Sequence, residues 1–281
     1  HYWLRENLLN KIYSTAIAAS QTGLPLAEAL TMEYPDDGRL DGVYTTYLFC
    51  DDFLVTPVLD ERAYLYDVTF PEGSWFGLWD GELVEGGQVK TVEAPLDYSP
   101  VYIRAGAVVP LTLAPGLRLT ESMQEAETVE ALLVTRPDED RESVYWKDEK
   151  TSVRYRNTIL DESTFRIEAG SGNDAEAVLV KGLAALGVAL DGQPMERLHE
   201  PPAAGGPAGF YSCDNGETVI YIGDSRWETL DVTLGVMEQP NLLLEAAVNQ
   251  EELRAAADGD NETTYAVSTR ADMQELIFEL A

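Results

Sequence analysis

Residues 67–111 read DVTFPEGSWFGLWDGELVEGGQVKTVEAPLDYSPVYIRAGAVVPL, and this stretch decides the fold class. Short apolar runs alternate with turns rich in Gly, Pro and Asp, a spacing typical of an all-β sandwich. Gly73 and Gly81 fall at tight turns, where a left-handed backbone costs a glycine little. Pro57 and Pro110 fall within or at the ends of apolar runs, which predicts edge strands or bulges because proline has no N–H to donate.

The same stretch is rich in large side chains that need a core. Trp75, Phe76 and Trp79 are predicted to fill one small core together. Arg104 is flanked by apolar residues, so we expect its charge to be balanced by a carboxylate, with Asp97 as the candidate.

Upstream of this stretch, helical periodicity replaces the strand pattern. Residues 4–22 predict a helix that ends at Thr22-Gly23. Residues 24–34 predict a short strand closed by the turn at 35–38, and residues 41–51 predict a short helical turn. The apolar positions of the predicted helix are Leu4, Leu8, Leu9, Ile12, Ala16 and Ala19.

Downstream, a second series of short apolar runs predicts further strands. Residues 201–208, with three prolines and two glycines, predict a loop or linker. The predicted strands are 128–135, 144–146, 152–155, 163–167, 177–181, 187–190, 219–222, 229–234 and 275–280.

Composition limits the classes of function. The chain has 281 residues, 45% of them hydrophobic, and a net charge of -31 from 50 acidic and 19 basic residues. Such a field repels nucleic acid and anionic membranes but tolerates neutral ligands such as sugars. No apolar run approaches the ~18 residues of a membrane span. The lack of an initiator Met and of a leader pattern favours a chain that starts inside a larger protein or follows a removed segment.

Two cysteines, Cys50 and Cys213, and two histidines are too few for a disulfide framework or a zinc-type motif. The cysteine content slightly favours a cytoplasmic location, and an extracellular one stays open.

No cofactor and no metal site are predicted. The one metal-like pattern, Asp258-Gly259-Asp260-Asn261-Glu262, has oxygen ligands at alternating positions but no complete calcium loop, so a solvated turn is favoured.

Three segments resemble the C-terminal part of a family 31 glycoside hydrolase of the α-glucosidase type. LRENLLNKIYSTAIAASQTGLPLAEALTMEYPDD, from Leu4, resembles the last helix and strand of that family's (β/α)8 barrel. YLFCDDFLVTPVL, from Tyr47, resembles the segment that leaves the barrel, and residues 67–111 resemble the proximal β-sandwich. The Pro-Glu-Gly-Ser-Trp turn, the Trp-Asp-Gly turn and Arg-Ala-Gly before Val-Pro occur in the family's order and spacing.

The resemblance implies a mainly β chain with two consecutive antiparallel β-sandwich domains, preceded by a helix-plus-strand remnant of the barrel. The implied domains are 1–52 for the barrel end, 53–115 for the proximal sandwich, 116–240 for the distal sandwich and 241–281 for a tail. Residues 143–170 resemble the distal sandwich, although Glu-Lys replaces the usual glycine turn. The tail segment NQEELRAAADGDNETTYAV resembles the start of a discoidin-like sugar-binding module.

The family hydrolyses α-glycosides with retention, using a nucleophile and an acid/base about 5–5.5 Å apart. Both family carboxylates lie on earlier barrel strands, N-terminal to this chain, so no catalytic residue is carried over. The implied function is the non-catalytic C-terminal part of a retaining α-glycosidase acting on oligosaccharides, which braces the barrel. Carbohydrate is the implied partner, and the barrel remnant allows a homo-oligomer. The alternative is a free-standing carbohydrate-binding or structural β-sandwich protein without catalysis.

Three positions depart from the family text. Glu28-Ala29 stand where Arg-Pro is usual, and Cys50 stands where a glycine precedes Asp51-Asp52. The departures favour a divergent subfamily with other substrates, or a member without activity. Because adjacent residues on a strand point to opposite faces, Asp51 and Asp52 are expected to hold the turn rather than act as a catalytic pair.

Exposed aromatic rings can stack on sugar rings. Trp146 and Trp227 are the candidate substrate-binding residues, with Tyr155 and Tyr211 as further possibilities. The alternative for each of them is an ordinary place in the core, which is the more frequent role of a single aromatic on a strand.

Overall fold

The chain divides into two compact units, residues 1–234 and 235–281. In the second unit, β20 (Tyr265–Ser268) pairs antiparallel with β21 (Glu275–Phe278), which confirms a strand at the predicted place. The rest of the predicted tail module, including Asp258–Glu262, lies outside the described residues. The computed structural model describes residues 2–61, 63–123, 127–182, 184–213, 216–224, 226–235, 265–268 and 275–278.

The first unit is mainly β, as predicted. Its helices are α1 (Tyr2–Asn7), α2 (Leu9–Thr22) and α3 (Leu30–Glu33), with a 3-10 turn at Gly38–Leu40. Its strands are β1 (Ala27–Ala29), β2 (Tyr47–Phe49), β3 (Phe53–Val55), β4 (Leu65–Phe70), β5 (Ser74–Gly77), β6 (Leu83–Glu85), β7 (Gln88–Glu93), β8 (Val101–Arg104), β9 (Val108–Leu113), β10 (Val129–Thr135), β11 (Arg141–Trp146), β12 (Ser152–Ile159), β13 (Thr164–Ala169), β14 (Ala177–Lys181), β15 (Ala185–Leu190), β16 (Gln193–Pro194), β17 (Gly209–Ser212), β18 (Glu217–Tyr221) and β19 (Thr229–Leu234).

The predicted N-terminal helix is present as α1 and α2, which meet at Leu8. The Leu8 N–H donates to the Leu4 carbonyl at 3.1 Å, and the Ile12 N–H donates to the Leu8 carbonyl at 2.9 Å, so the hydrogen-bond ladder crosses the junction. Gly23 ends α2 in the left-handed conformation predicted for it, with φ 79°. Among the described residues, no helix is long and apolar enough to cross a membrane.

Two local predictions upstream of β3 are wrong. The expected strand over 24–34 is shortened to β1, because the chain turns into α3 immediately afterwards. The expected helical turn over 41–51 contains β2 instead, and β2 pairs antiparallel with β1. Strands of a (β/α)8 barrel run parallel, so β1 belongs to this antiparallel sheet and is not a barrel strand.

The first sheet has the order β1-β2-β3-β8-β5-β6, and the two-stranded ribbon β4-β7 accompanies it. Their shared core includes Trp75, Phe70 and Leu54, all at most 1% exposed. Gly73 and Gly81 take positive φ of 99° and 71°, as their turn positions predict.

Two further sheets share one core. A five-stranded sheet, β17-β18-β14-β10-β9, contributes residues such as Val178, and a six-stranded sheet, β11-β12-β13-β19-β15-β16, contributes residues such as Phe165. The prediction of purely antiparallel sheets is wrong at one place, because β10 and β14 pair in parallel. The intervening chain crosses through β11–β13 in the other sheet, and such a long crossover is what a parallel pair requires.

The five-stranded sheet is buried on both faces. Its second face packs against a core that contains Phe53, Leu78 and Ile103 from the first sheet region, while Trp79 packs at its margin. Trp75 and Trp79 therefore pack in different cores, whereas the sequence predicted that they fill one core together. Pro110 lies in β9, the edge strand predicted for it. β9 also pairs with β10, so one sheet spans the boundary predicted at residue 115.

Candidate functional site

The turn between β2 and β3 has an unusual backbone. Cys50 and Asp51 both take positive φ, 51° and 64°, a region that L-residues enter rarely. The Cys50 N–H donates to the Leu26 carbonyl, and the Asp52 N–H donates to the Cys50 carbonyl, each at 2.8 Å. The Arg104 N–H donates to the Asp52 carbonyl at 2.9 Å, so strand β8 also fixes the turn.

Asp52 is the centre of a buried ion cluster. Its Oδ2 lies 2.6 Å from Lys11 Nζ and its Oδ1 lies 3.0 Å from Arg141 Nη2. The Asp52 side chain is only 2% exposed, and that of Lys11 only 10%. Burial opposes ionisation of Asp52, but the charges of Lys11 and Arg141 outweigh it and hold the pKa of this carboxyl below its usual value.

The cluster joins three separate parts of the chain. Lys11 lies on α2, Asp52 on the β2–β3 turn, and Arg141 begins β11. The Asp52 carboxylate therefore joins these three parts through ion pairs, whereas the sequence predicted that it would hold the turn.

The face of the N-terminal helices that meets the sheets is mixed, with Leu8 in the core, Leu4 and Ile12 packed against it, and several polar contacts beside them. Asn10 Nδ2 donates to Glu130 Oε2 at 2.7 Å, and the Trp146 N–H donates to Ser14 Oγ at 2.9 Å. Asn7 Nδ2 donates to the Thr112 carbonyl at 2.8 Å. Together with Lys11, these contacts dock the helix on β9, β11 and the Asp52 turn.

The opposite face of the helices is apolar and exposed. Tyr2, Leu9 and Tyr13 are 65%, 40% and 53% exposed, and Ala16 is exposed beside them. Steps of seven, four and three residues place these four side chains on one helical face. This set, the exposed helix face, differs from the predicted apolar face, of which Leu8 is buried and Leu4, Ile12 and Ala19 are half-buried.

Arg104 has the carboxylate partner predicted for it, but the partner is Glu33 and not Asp97. Arg104 Nη1 lies 3.2 Å from Glu33 Oε1, and the guanidinium stacks 5.4 Å from the Trp75 ring centroid. The Tyr34 ring contacts the same guanidinium at 5.7 Å.

Glu28, which stands where the resembled text has arginine, lies beside this group. It is 6% exposed, and its pKa is raised, first by burial and then by the negative charges of Asp51 and Glu33, against the opposing charge of Arg104. The carboxylate is thus held in surroundings that disfavour its ionised form.

Replacing Glu28 by glutamine should therefore raise the melting temperature at pH 7. A carboxyl whose pKa is raised on folding stabilises the protein only at low pH, and that contribution is lost as pH rises through its folded pKa. The advantage of Glu28→Gln should accordingly shrink as the pH approaches 4, as followed by thermal unfolding. Glu149→Gln, at an exposed position, is the control; a Glu28→Gln chain less stable than wild type at pH 7 would contradict the assignment.

The predicted sugar-stacking residues are placed differently from one another. Trp227 is 3% exposed and donates its indole N–H to the Ala175 carbonyl at 2.9 Å, so its ring is in the core and offers no face to a sugar. Tyr155, 2% exposed, bonds to Asn173 in the same core. Trp146 is half-buried at the end of β11, and its stacking on a sugar stays a prediction.

Comparison with known proteins identifies the region around these contacts. Residues 23–109 match the Glycosyl hydrolase family 31 C-terminal domain. Residues 23–109 are therefore similar in sequence to a family 31 C-terminal domain. Among similar proteins, the isomaltosyltransferase of Sporosarcina globispora is 35% identical over 109 residues, which is 39% of this chain and 10% of that protein. Alpha-glucosidase 2 of Bacillus thermoamyloliquefaciens is 32% identical over 126 residues, 45% of this chain and 16% of that protein.

Solved family 31 structures share the fold over a longer stretch. The cycloalternan-forming enzyme from Listeria monocytogenes, solved with a pentasaccharide substrate, superposes with a TM-score of 0.71 and 22% identity. The match covers 82% of this chain and 23% of that chain. The family 31 dextranase of Flavobacterium johnsoniae gives a TM-score of 0.66 at 19% identity, over 82% and 32% of the two chains. This chain thus spans a minor part of each of these enzymes.

The family 31 domain explains one departure from the family text in physical terms. Cys50 occupies a left-handed position, which is why a glycine is the natural residue there and why its replacement costs backbone strain.

Among the described residues, no group of three or more His, Cys, Asp or Glu side chains is placed to hold a metal.

Proposed function

We propose that this chain is the non-catalytic C-terminal part of a retaining α-glycosidase that hydrolyses O-glycosidic bonds in oligosaccharides. In this proposal the sheets that follow β3 form the proximal and distal β-sandwiches, and α1–α2 are the last helix of the catalytic barrel. The whole region braces that barrel.

The exposed helix face carries this proposal. Tyr2, Leu9, Tyr13 and Ala16 form one apolar stripe, while the opposite face is already docked on the sheets through Lys11. The docked face already packs Leu4, Leu8 and Ile12 against the sheet core, so the exposed stripe is a second apolar face, which an ordinary surface helix does not have. An apolar stripe of this kind indicates a further protein surface, and the family relatives supply one, since this chain covers only 10% and 16% of the two named above.

A leucine-to-aspartate change on this face tests the bracing role in the native gene product. Leu9→Asp would place a charge inside the interface with the barrel, and burying an unpaired charge is costly. We expect the half-life of hydrolytic activity on an aryl α-glucoside at elevated temperature to fall by at least about tenfold.

The matched control is Leu186→Asp, at a leucine that is 49% exposed on β15, against 40% for Leu9. This control should inactivate at the wild-type rate. Equal inactivation rates for wild type, Leu9→Asp and Leu186→Asp would overturn the bracing role.

A further inference from the structure

A cleft beside the β5–β6 hairpin brings three aromatic rings together. It has a volume of about 290 Å³ and is lined by Trp79, Tyr98 and Tyr102, with β7 along one side. The Trp79 and Tyr98 ring centroids are 5.3 Å apart, and the ring planes are tilted by 38°. The two rings therefore contact each other at an angle in the wall of the cleft and do not stack flat.

Contacts within the chain fix two of the three rings, Trp79 and Tyr102, before any ligand arrives. Trp79 donates its indole N–H to the Ser99 carbonyl at 3.0 Å, which holds the ring plane. Tyr102 packs edge-on against Phe70 with ring centroids 4.7 Å apart. Binding on such rings loses little side-chain freedom, and preorganisation of this kind favours affinity.

Polar groups surround the rings. Glu82 Oε1 lies 2.6 Å from Lys90 Nζ, and Asp80 Oδ1 accepts the Glu82 N–H at 2.9 Å. Glu93 and Thr91 complete this side of the cleft. Burial raises the pKa of Tyr102, and the charges of Asp80 and Glu82 raise it further.

The charge of the lining selects among ligands. Asp80, Glu82 and Glu93 against Lys90 leave an excess of negative charge in the cleft, within a chain whose net charge is already -31. Phosphates and acidic sugars are repelled there. Lys90 lies inside the cleft and already neutralises Glu82, so the remaining negative charge comes from Asp80 and Glu93.

Two other cavities are less suitable for a sugar. One of about 920 Å³ includes Trp227 in its lining, and that ring is buried. One of about 310 Å³ lies on the other side of Trp79 and has Leu78, Leu117 and Val219 in its wall, with no second aromatic ring.

We propose that the cleft lined by Trp79, Tyr98 and Tyr102 binds a pyranose ring of a neutral oligosaccharide. The polarised C–H groups on one face of the ring lie on the electron-rich faces of Trp79 and Tyr98. The hydroxyl groups at its edge bond to Asp80, Glu93 and the Lys90 ammonium. A volume of about 290 Å³ is at the lower end of the ~300–1,000 Å³ typical of small-molecule sites, so it suits one ring rather than a long chain. The choice of an α-linked sugar rests on the proposed function.

Titration of the 281-residue chain with maltotriose and isomaltotriose, by isothermal calorimetry and ligand-observed NMR, tests this inference. We expect saturable binding with a Kd on the order of 1 mM for at least one of them. Tyr98→Ala should weaken binding by about tenfold or more, because it removes half of the ring surface. Tyr98→Phe should bind within about twofold of wild type, because it keeps the ring.

Tyr44→Ala is the matched control, since Tyr44 is 90% exposed and does not line the cleft. Thermal unfolding of each variant separates loss of binding from loss of folding. The inference is overturned if the wild-type chain binds neither sugar up to about 20 mM. It is also overturned if Tyr98→Ala binds like Tyr44→Ala, or if tetramethylammonium competes with the sugar.

The outcome is independent of the test of the proposed function. If the native gene product hydrolyses the glucoside but this chain binds no sugar, only the proposal of a sugar site in the cleft is rejected. If the chain binds sugar in a way that depends on Tyr98 but the gene product has no glycosidase activity, the enzyme assignment is rejected. The protein would then be a carbohydrate-binding protein.

Discussion

Replacing Asp52 by asparagine should lower the free energy of unfolding by about 3–5 kcal/mol, because it leaves Lys11 buried without its counter-charge. The Lys11 side chain is only 10% exposed and lies 2.6 Å from Asp52, against 4.0 Å from Asp51. Arg141 would lose the same partner, so the helix, the β2–β3 turn and β11 would all lose their common contact. Urea unfolding followed by circular dichroism measures the change.

Asp51→Asn is the matched control. The Asp51 side chain is 54% exposed, so its loss should cost no more than about 1 kcal/mol. The Asp52 pKa is lowered on folding, so its contribution is complete above the unfolded pKa of about 3.9 and is lost as pH falls through the folded pKa. The difference in stability between wild type and Asp52→Asn should therefore begin to shrink as pH falls below about 4, and it should vanish only below the folded pKa of Asp52. Equal effects of the two substitutions at pH 7 would show that Asp52 does not hold the junction.

Trp75→Ala should cost a similar amount, about 3–5 kcal/mol, as large truncations in a packed core do. Trp75 is fully buried, donates its indole N–H to the Pro71 carbonyl at 3.2 Å and supports the Arg104 guanidinium. Removal of the indole thus opens a cavity. It also leaves the Pro71 carbonyl without its donor and the Arg104 guanidinium without the ring beside it. Chemical unfolding gives the free energy directly.

Leu96→Ala is the comparison for Trp75→Ala, because Leu96 is 92% exposed in the same sheet region. Its effect should stay within about 0.5 kcal/mol. If Trp75→Ala were as mild as Leu96→Ala, the core between the first sheet and the β4-β7 ribbon would not be as closely packed as the structure has it.

Local patterns predicted the elements that local chemistry determines. The helix over 4–22 follows from apolar periodicity and the Gly23 end, and the positive φ of Gly73 and Gly81 follows from turn chemistry. Pro110 marked an edge strand correctly because the missing N–H is a property of the residue itself.

Features that depend on distant partners were not predicted. Arg104 needs a carboxylate, but sequence distance favoured Asp97 although Glu33, 71 residues away, is the partner in space. The polar contacts of α2, such as that of Asn10 with Glu130, depend on residues about a hundred positions downstream. Apolar periodicity within the helix cannot predict such contacts. The parallel pairing of β10 with β14 is likewise a property of the crossover between them.

The candidate site shows the same division. Asp52 was given a structural role because neighbours on a strand diverge, and the ion cluster agrees. Trp227 was named for its residue type, but its burial is decided by the packing of two sheets. Tyr98 was not considered as a ring surface, although its position beside Trp79 in the cleft gives it one.

The intact mass of the native gene product, measured together with its hydrolysis of an aryl α-glucoside, tests most directly whether this chain belongs to a working α-glycosidase. We expect a mass well above the 31.0 kDa of this chain, and release of the aryl group with retention at the anomeric carbon. A native product of 31.0 kDa, or a larger one that leaves the glucoside intact, would contradict the proposed function.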